Sequence, residues 1–251
     1  MSKIVVVKVG GSTWDSRDAA LGDIVALQRE GHRVAVVHGG GEMVSRWLAV
    51  HGVESRFVDG VRETGGDALP VAVAVLAGLV NKQLVAGINA IGGRAAGLSG
   101  ADGACIVARR RPDLGFVGEI EHVDAALLMS LLDSGYMPVI APIGVEGGQL
   151  LNINADTVAG EVAVALKSDL LAFLTDVAGV LDAGGKTVER LSASDVEPLV
   201  RDGTISRGML PKVDACLKAG AHGCAGLIMD GRREGALRSA LEGRIVGTRV
   251  G

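Results

Sequence analysis

Residues 3–11 read KIVVVKVGG, and residues 33–41 read RVAVVHGGG. Each stretch is a short apolar run that ends in glycines, and residues at helical spacing follow, such as Ala20, Leu21 and Ile24 after the first. A continuous apolar run is typical of a parallel strand that is buried on both faces. The two stretches therefore predict two strand–turn–helix units of an α/β fold.

The same alternation continues along the chain. Further strands are predicted at 94–98, 137–143, 170–174 and 226–229. We expect a three-layer αβα sandwich, in which helices cover both faces of a mostly parallel open sheet. Two Gly-rich, more polar segments, 111–122 and 144–152, are predicted to form β-hairpin flaps over a site in that sheet.

Composition narrows the class of protein. Of the 251 residues 38 are Gly, roughly twice the usual share, and only six are aromatic. The three Cys form no CxxC pair, which excludes a disulfide scaffold and a zinc ribbon and suits a reducing cytosol. Residues 201–251 carry nine Lys and Arg against five Asp and Glu, whereas the whole chain has a net charge of −4. With so few aromatic faces for bases, this distribution favours a small phosphate-bearing ligand over nucleic acid.

The apolar runs are too short for a membrane span. The longest, from Ala68 to Val80, has 13 residues, whereas a spanning helix needs about 20. We therefore expect a soluble, cytoplasmic protein. The helix predicted from Leu69 to Gly92 is nearly apolar all round, so it must be buried either within one subunit or against its mate in a homodimer.

Two common nucleotide motifs fail on spacing. Gly185-Lys186-Thr187 resembles the end of a P-loop, but Val180 occupies the place of the required first glycine. The dinucleotide fingerprint fails at Val44, which stands where its third glycine belongs. What remains are glycine turns at the carboxyl ends of predicted strands, where backbone N–H groups attract anions. Lys8, near the end of a buried strand, also calls for an anionic partner.

Two polar stretches are the other candidates. Asn152, Asn154 and Asp156 precede a predicted helix and carry more polar side chains than a helix cap requires, although a cap remains an alternative. Lys212 follows a Gly turn and by itself reads as an ordinary solvated lysine. His38 is expected to satisfy a backbone carbonyl and not to act in catalysis. Because Cys216, His222 and Cys224 lack a fourth ligand at suitable spacing, no metal site is expected.

Taken together, these stretches resemble the amino acid kinase family. Nine motifs match in order over essentially the whole chain: KVGG (8–11), VHGGG (37–41), DGVRET (59–64), GLVNK (78–82), GLSGADG (97–103), NINAD (152–156), TDVAGVL (175–181), RGMLPK (207–212) and GTR (247–249). Within the family the resemblance is closest to the enzymes that use ATP to phosphorylate the side-chain carboxylate of N-acetyl-L-glutamate, a step of arginine biosynthesis.

The resemblance implies roles for particular residues. Lys8 and Lys212 would clamp the transferring phosphoryl group, and Asp156 would position both lysines. The N–H groups of Gly10 and Gly11 would face the phosphoryl oxygens. Residues 1–168 would form an N-terminal lobe for the acyl-amino-acid and for dimerisation, and residues 169–251 a C-terminal lobe for ATP.

Substrate and nucleotide residues follow in the same way. Gly40 and Gly41 would approach the substrate backbone, Arg62 would pair with its α-carboxylate, and Asn152 would contact its N-acyl portion. Mg²⁺ is expected with ATP. The nucleotide would be framed by two segments, whose residues are Asp176, Val177, Ala178, Gly179, Val180 and Leu181, and Ser206, Arg207, Gly208 and Met209.

Two rival functions remain open from the sequence. One is a related kinase that acts on α-aminoadipate or glutamate held on a carrier protein. The glycine turn of that kinase typically lacks the third Gly, which is present here as Gly41. An acidic carrier would also favour a basic N-terminal lobe, whereas the basic excess of this chain lies in residues 201–251. A non-catalytic nucleotide or amino-acid sensor would be expected to lose Lys8, Asp156 or Lys212. Because seven residues precede Lys8, too few for the extra N-terminal helix of arginine-inhibited hexamers, a homodimer insensitive to arginine is expected, formed through the helix near 70–90.

Overall fold

The computed structural model describes residues 2–10, 17–182, 184–205, 208–244 and 246–251. Gly11, Ser206 and Arg207, which the motifs single out, lie outside these residues. The described residues form a large sheet, a small barrel and a two-stranded ribbon. The strands are β1 (Ile4–Val9), β2 (Arg33–His38), β3 (Phe57–Val58), β4 (Val61–Arg62), β5 (Ala95–Ser99), β6 (Ile106–Arg111), β7 (Val117–Val123), β8 (Met137–Ala141), β9 (Ile143–Glu146), β10 (Gln149–Asn152), β11 (Leu170–Thr175), β12 (Arg190–Leu191), β13 (Ala225–Asp230) and β14 (Thr248–Val250).

The helices complete the element order. They are α1 (Arg17–Arg29), α2 (Gly41–Val50), α3 (Ala68–Val73), α4 (Asn81–Ala90), α5 (Ala126–Asp133), α6 (Ala155–Ala165), α7 (Ala193–Arg201), α8 (Leu210–Gly220) and α9 (Ala236–Leu241). A π-helical stretch, Ala74–Val80, joins α3 to α4, so that Ala68–Ala90 is one continuous helix of 23 residues.

The large sheet has eight strands in the order β12-β14-β13-β11-β1-β2-β8-β5. All of its neighbouring pairs are parallel except β13 and β14. This confirms the mostly parallel open sheet. β1 lies between β2, which follows it directly along the large sheet, and β11, which is added on its other side only much later in the chain. Ligands of such sheets bind at this kind of switch point, outside the carboxyl ends of the strands.

Alternate residues of the central strands face two separate cores. Val6 and Val37 pack in a core with α5, α6 and α8, whereas Val5, Val7 and Val36 pack in a core with α1, α4 and α9. Because the side chains of a strand alternate between its faces, both faces of the sheet must be covered. The three-layer arrangement of helix, sheet and helix is therefore confirmed.

Both predicted hairpins are present, but one of them begins earlier in the chain than predicted. β9 and β10 form an antiparallel hairpin where 144–152 was predicted. The other hairpin pairs β6 with β7 and so begins at Ile106, five residues before the predicted start. Together the four strands close a small barrel, which the sequence did not predict. The predicted strand 137–143 divides at Pro142, since β8 ends at Ala141 and β9 begins at Ile143.

The long helix Ala68–Ala90 is only partly buried within one subunit. It extends beyond the 13-residue apolar run that was judged too short for a membrane span, and by length and composition alone it could cross a membrane. Of its most apolar window, 39% is buried in the subunit. Its inner side chains, including Leu76 and Val80, pack with α2 in a third apolar cluster. Its outer face is partly open, with Pro70, Ala74 and Gly78 exposed.

Candidate active site

Three charged side chains from distant parts of the chain meet at the carboxyl edge of the sheet. Lys8 Nζ lies 2.8 Å from Asp156 Oδ1, and Lys212 Nζ lies 2.9 Å from Asp156 Oδ2. Lys212 Nζ also donates a hydrogen bond to the carbonyl of Gly208 at 3.0 Å. Each oxygen of one carboxylate is thus occupied by a different ammonium group.

Local structure places each member of this cluster. Lys8 is the last residue but one of β1, in register with Phe173 of β11. Asp156 is the second residue of α6. The first turn of this helix is fixed by Asn154, whose Oδ1 accepts hydrogen bonds from the N–H groups of Asp156 and Thr157 at 2.8 and 3.1 Å. Asn154 therefore does cap a helix, and the cap holds Asp156 toward the lysines.

The electrostatics of the cluster favour an anion. Lys8 and Asp156 are almost fully buried, with exposed fractions of 7% and 6%. Burial alone would raise the pKa of Asp156, but the charges and hydrogen bonds of Lys8 and Lys212 outweigh it and hold this pKa below its ordinary value. Two cations against one anion leave one positive charge in a site that is partly shielded from water. Such a site attracts a phosphoryl group.

The glycine turns lie beside this cluster. The N–H of Gly10 donates to the carbonyl of Leu174 at 3.2 Å, which ties the end of β1 to β11. Gly40 has φ 152°, and a Cβ there would lie 2.9 Å from Leu76 Cδ2 and 3.3 Å from Val80 Cγ2. Only glycine allows the long helix to approach this turn so closely. Gly41 is the first residue of α2.

Arg62 is buried behind the second glycine turn. Its Nη2 donates to the Gly41 carbonyl at 2.6 Å and to Ser45 Oγ at 2.8 Å, and its Nη1 donates to Ser55 Oγ at 2.7 Å. Its Cζ lies 4.5 Å from the centre of the Phe57 ring. A guanidinium has five N–H groups, so these bonds leave two of them for a ligand. Burial lowers the pKa of Arg62, but an arginine remains charged at neutral pH.

Asn152 is joined to Arg62 through one threonine. Asn152 Nδ2 donates to Thr64 Oγ1 at 3.0 Å, and the Thr64 hydroxyl donates to the Arg62 carbonyl at 3.1 Å. A cavity of about 140 Å³ opens among the glycine turn, Arg62 and Asn152. The four residues proposed for the substrate therefore line one small cavity: Gly40, Gly41, Arg62 and Asn152.

The segment after β11 forms a turn at the same edge of the sheet. Asp176 and Ala178 are exposed, whereas Gly179 and Val180 are buried. The Val180 N–H donates to Thr248 Oγ1 at 2.8 Å, and a Cβ on Gly179 would lie 2.5 Å from the same atom. The terminal motif containing Thr248 therefore shapes this turn. Of the second nucleotide segment, Gly208 and Met209 immediately precede α8.

Sequence reasoning found His38 but missed its partner. His38 is fully buried, and its Nδ1 lies 2.8 Å from the Gly39 carbonyl, so the expectation that it satisfies a backbone carbonyl is confirmed. Its Nε2 lies 3.1 Å from Nδ2 of the equally buried Asn81. The sequence indicates Asn81 only as part of the GLVNK motif. The signal that could have found it is an amide inside an otherwise apolar helix.

Comparison with known proteins supplies the family. Residues 3–230 match the model of the amino acid kinase family. The chain belongs to the amino acid kinase family. A protein of Dehalococcoides mccartyi strain BAV1 named acetylglutamate kinase is 42% identical over 98% of this chain and 94% of its own length.

Solved structures agree with the assignment to the amino acid kinase family. A Streptococcus mutans UA159 protein is 30% identical, with a TM-score of 0.87, and the match covers 100% of this chain and 99% of that one. Carbamate kinase from Giardia lamblia, at 19% identity and a TM-score of 0.72 over 99% of this chain and 98% of its own, shares the fold. As a member of this family, the chain is a kinase.

The lowered pKa of Asp156 predicts a pH dependence of stability. The carboxylate is stabilised in the folded state, so its contribution is present above the unfolded pKa of about 3.9 and is lost as the pH falls below it. We expect Asp156→Asn to lower the free energy of unfolding at pH 7, and the gap to wild type to shrink below about pH 4. Urea unfolding at a series of pH values measures this gap.

A suitable control is Asp133→Asn, which alters an exposed carboxylate 3.1 Å from Arg33. Exposed pairs contribute about 0–1 kcal/mol, so this variant should stay close to wild type throughout. A gap for Asp156→Asn that stays constant down to pH 3 would contradict the role of the two lysines.

Proposed function

We propose that this kinase transfers the γ-phosphoryl group of ATP to the side-chain carboxylate of N-acetyl-L-glutamate, which gives N-acetyl-L-glutamyl 5-phosphate for arginine biosynthesis. The observation that carries the proposal is the arrangement of Lys8, Asp156 and Lys212 beside a small cavity that Arg62 borders. The similarity over nearly the full length to a protein named acetylglutamate kinase supports this choice of substrate.

The chemistry needs no general base. An oxygen of the substrate carboxylate, already ionised at neutral pH, attacks the γ-phosphorus while the bond to the bridging oxygen of ADP breaks. The two lysines would neutralise the charge on the transferring group. Asp156 would hold both ammonium groups in place. Gly11 would offer its N–H to the phosphoryl oxygens, whereas the N–H of Gly10 already donates to the Leu174 carbonyl. Catalysis then consists of alignment and charge stabilisation.

The cavity residues suit a small acylated dicarboxylate. One of the two remaining N–H groups of Arg62 would donate to the α-carboxylate, and Gly40 and Gly41 would offer backbone N–H groups. Asn152 would contact the N-acyl portion. Since Arg62 is held by two serines and a carbonyl, it needs little reordering when the substrate binds.

The nucleotide would bind at the carboxyl end of β11, in the lobe formed by residues 169–251, and the acyl-amino-acid in that formed by residues 1–168. The nucleotide would be framed by Asp176–Leu181 and Ser206–Met209. Among the described residues no group of three or more His, Cys, Asp or Glu side chains could hold a metal ion. We infer that Mg²⁺ arrives on the ATP phosphates, where it supplies further positive charge. The site of action proposed is the cytoplasm.

The assay that tests the function traps the acyl phosphate as a hydroxamate. Purified protein with ATP and Mg²⁺ is given N-acetylglutamate, free glutamate or aminoadipate, the last also as a carrier-bound form. We expect product from N-acetylglutamate. Product from the carrier-bound compound alone would favour the rival kinase, and no product from any compound would favour a sensor.

The two lysines should be required for turnover. We expect Lys8→Ala and Lys212→Ala each to lower kcat by about a hundredfold or more, since one lost charge donor in a transition state costs roughly that much. Lys218→Ala is the matched control, because Lys218 lies on the same helix as Lys212 and pairs with Glu161. The hydroxamate assay measures kcat, and near-normal turnover of Lys8→Ala would contradict the clamp.

Arg62 should act in binding more than in turnover. Loss of a charged hydrogen-bond donor costs about 1.5–3 kcal/mol, so Arg62→Ala should raise the KM for N-acetylglutamate roughly tenfold to a hundredfold, with the KM for ATP little changed. Arg62→Lys should be intermediate. The control is Arg56→Ala, which removes an exposed arginine paired with Glu54. An unchanged KM in both Arg62 variants would remove the carboxylate assignment.

A homodimer is the assembly we propose, through the outer face of helix Ala68–Ala90. Exposed Ala74 and Gly78 would lie against the same face of a second copy, which would bury the rest of this apolar helix. A Cβ on Gly78 meets no atom within 4 Å in one subunit, so Gly78→Glu leaves the subunit unstrained.

Sedimentation velocity tests the dimer. Wild type should sediment as a dimer and Gly78→Glu as a monomer, because the new carboxylate would be buried at the interface. Gly22→Glu is the matched control, since Gly22 is also an exposed helical glycine with open space around it. A wild-type monomer, or a dimer that survives in Gly78→Glu, would contradict this interface.

A further inference from the structure

A chain of buried polar groups lies directly beneath the glycine turn of the cavity. It consists of His38 at the end of β2 and Asn81 at the start of α4, both fully buried. Their side chains meet at 3.1 Å, between His38 Nε2 and Asn81 Nδ2. Neither residue is among those that line the cavity, so the placement of two polar side chains in the interior calls for an explanation. We refer to these two residues as the His38–Asn81 pair.

The surroundings fix which way the Asn81 amide points. Lys82 Nζ lies 2.9 Å from Asn81 Oδ1, and Asn81 Nδ2 lies 2.8 Å from the Val139 carbonyl. An ammonium group can only donate and a carbonyl can only accept, so the oxygen must face Lys82 and the nitrogen must face Val139. The nitrogen is therefore also the atom that faces His38.

The orientation of Asn81 in turn fixes the tautomer of His38. Because Asn81 Nδ2 donates, His38 Nε2 must accept, and the single proton of a neutral imidazole then sits on Nδ1. Burial, aided by the charges of Lys8 and Lys82 and opposed by the hydrogen bond to Gly39, lowers the pKa of His38 to about 4. The ring is therefore neutral at physiological pH. Its Nδ1–H donates to the Gly39 carbonyl at 2.8 Å.

A fixed Gly39 carbonyl determines where the next N–H points. The carbonyl of Gly39 and the N–H of Gly40 belong to one planar trans peptide and point in opposite directions. Neither Gly40 nor Gly41 donates its N–H to any partner among the described residues. Without the hydrogen bond from His38, this peptide could rotate, since glycines on both sides allow many conformations.

The long helix reaches the turn with side chains from two consecutive turns. Leu76 and Val80 pack against Gly40, and Asn81 contacts His38. The π-helical stretch Ala74–Val80 ends immediately before Asn81. The hydrogen bonds of such a stretch span five residues instead of the four of an α-helix, which changes which side chains share a face. The departure from α-helical geometry thus lies where the helix meets the turn.

We propose that His38 and Asn81 are positioning residues, which hold the Gly39–Gly40 peptide so that the Gly40 N–H faces the acyl-amino-acid. The proposal deepens the proposed function and rests on it for the identity of the ligand. It assigns no chemical step to either side chain. The pair acts before the substrate arrives, by removing the rotational freedom that the Gly39–Gly40 peptide would otherwise have.

Two substitutions of His38 separate this role from simple packing. The amide of Asn reaches the place of Nδ1, whereas that of Gln reaches the place of Nε2, one atom further out. His38→Asn should keep the donor to Gly39 and leave the KM for N-acetylglutamate within about threefold. His38→Gln should lose that donor and raise this KM about five- to tenfold, the cost of one hydrogen bond, with the KM for ATP little changed.

Asn89→Ala is the matched control on the same helix. Both amide atoms of Asn89 also hydrogen-bond to backbone, at Ala95, but Asn89 lies eight residues, about two helical turns, beyond Asn81. Unfolding midpoints are measured for every variant. Equal KM increases in the two His38 variants, or increases that follow lost stability and appear also in Asn89→Ala, would overturn the positioning role.

A second readout does not depend on the substrate. Imidazole ¹⁵N shifts of wild type should show the Nδ1–H tautomer of His38, and Asn81→Leu, which removes the donor to Nε2, should shift the ring away from it. A wild-type Nε2–H tautomer would overturn the proposal whatever the enzyme phosphorylates. Failure of the hydroxamate assay on N-acetylglutamate, with the expected tautomer present, would instead count against the proposed function alone.

Discussion

The attachment of two lysines to the two oxygens of Asp156 is the interaction on which the site depends. Lys8 is buried inside the sheet, and an isolated ammonium group there would cost several kcal/mol. Asp156 offsets that cost, and Lys212 binds the same carboxylate from a third element. Because the cluster keeps one net positive charge, it is complete electrostatically only when an anion is present. The same contact therefore explains both why the lysine is tolerated and what the site attracts.

The glycine turns and the charged cluster solve different parts of one problem. The charged side chains attract phosphate strongly but do not fix the orientation of the bound group, whereas backbone N–H groups have fixed directions. At Gly40 the absence of a side chain lets the long helix pack against the turn, and that helix also carries Asn81. A second layer of buried polar groups therefore lies behind the atoms that would touch a ligand, as in other preorganised sites.

Much of this arrangement was predictable from local patterns. The apolar runs ending in glycine gave β1, β2 and the parallel sheet, and Pro142 marks where a predicted strand divides into two. The barrel was not predictable in this way, because Ile106–Arg111 carries three arginines and its pairing with Val117–Val123 depends on partners distant in sequence. The site shows the same division. Lys8 could be singled out by its buried position, but Lys212 looked solvated until the fold brought it to Asp156. Asn81 escaped notice because its partners, His38 and Val139, are about 40 and 60 positions away.

The tie between Thr248 and the turn at Gly179 has a consequence for how the protein is assembled. The hydroxyl that receives the Val180 N–H belongs to a residue 68 positions later in the chain. The turn at Gly179 is synthesised before Thr248. It therefore lacks this hydrogen bond until β14 has been made and has paired with β13. A nascent chain can form the strands around Lys8 early, whereas the surface proposed for ATP takes its final shape among the last events of folding. Incomplete chains without β14 would consequently lack one of the contacts that shape the proposed nucleotide surface.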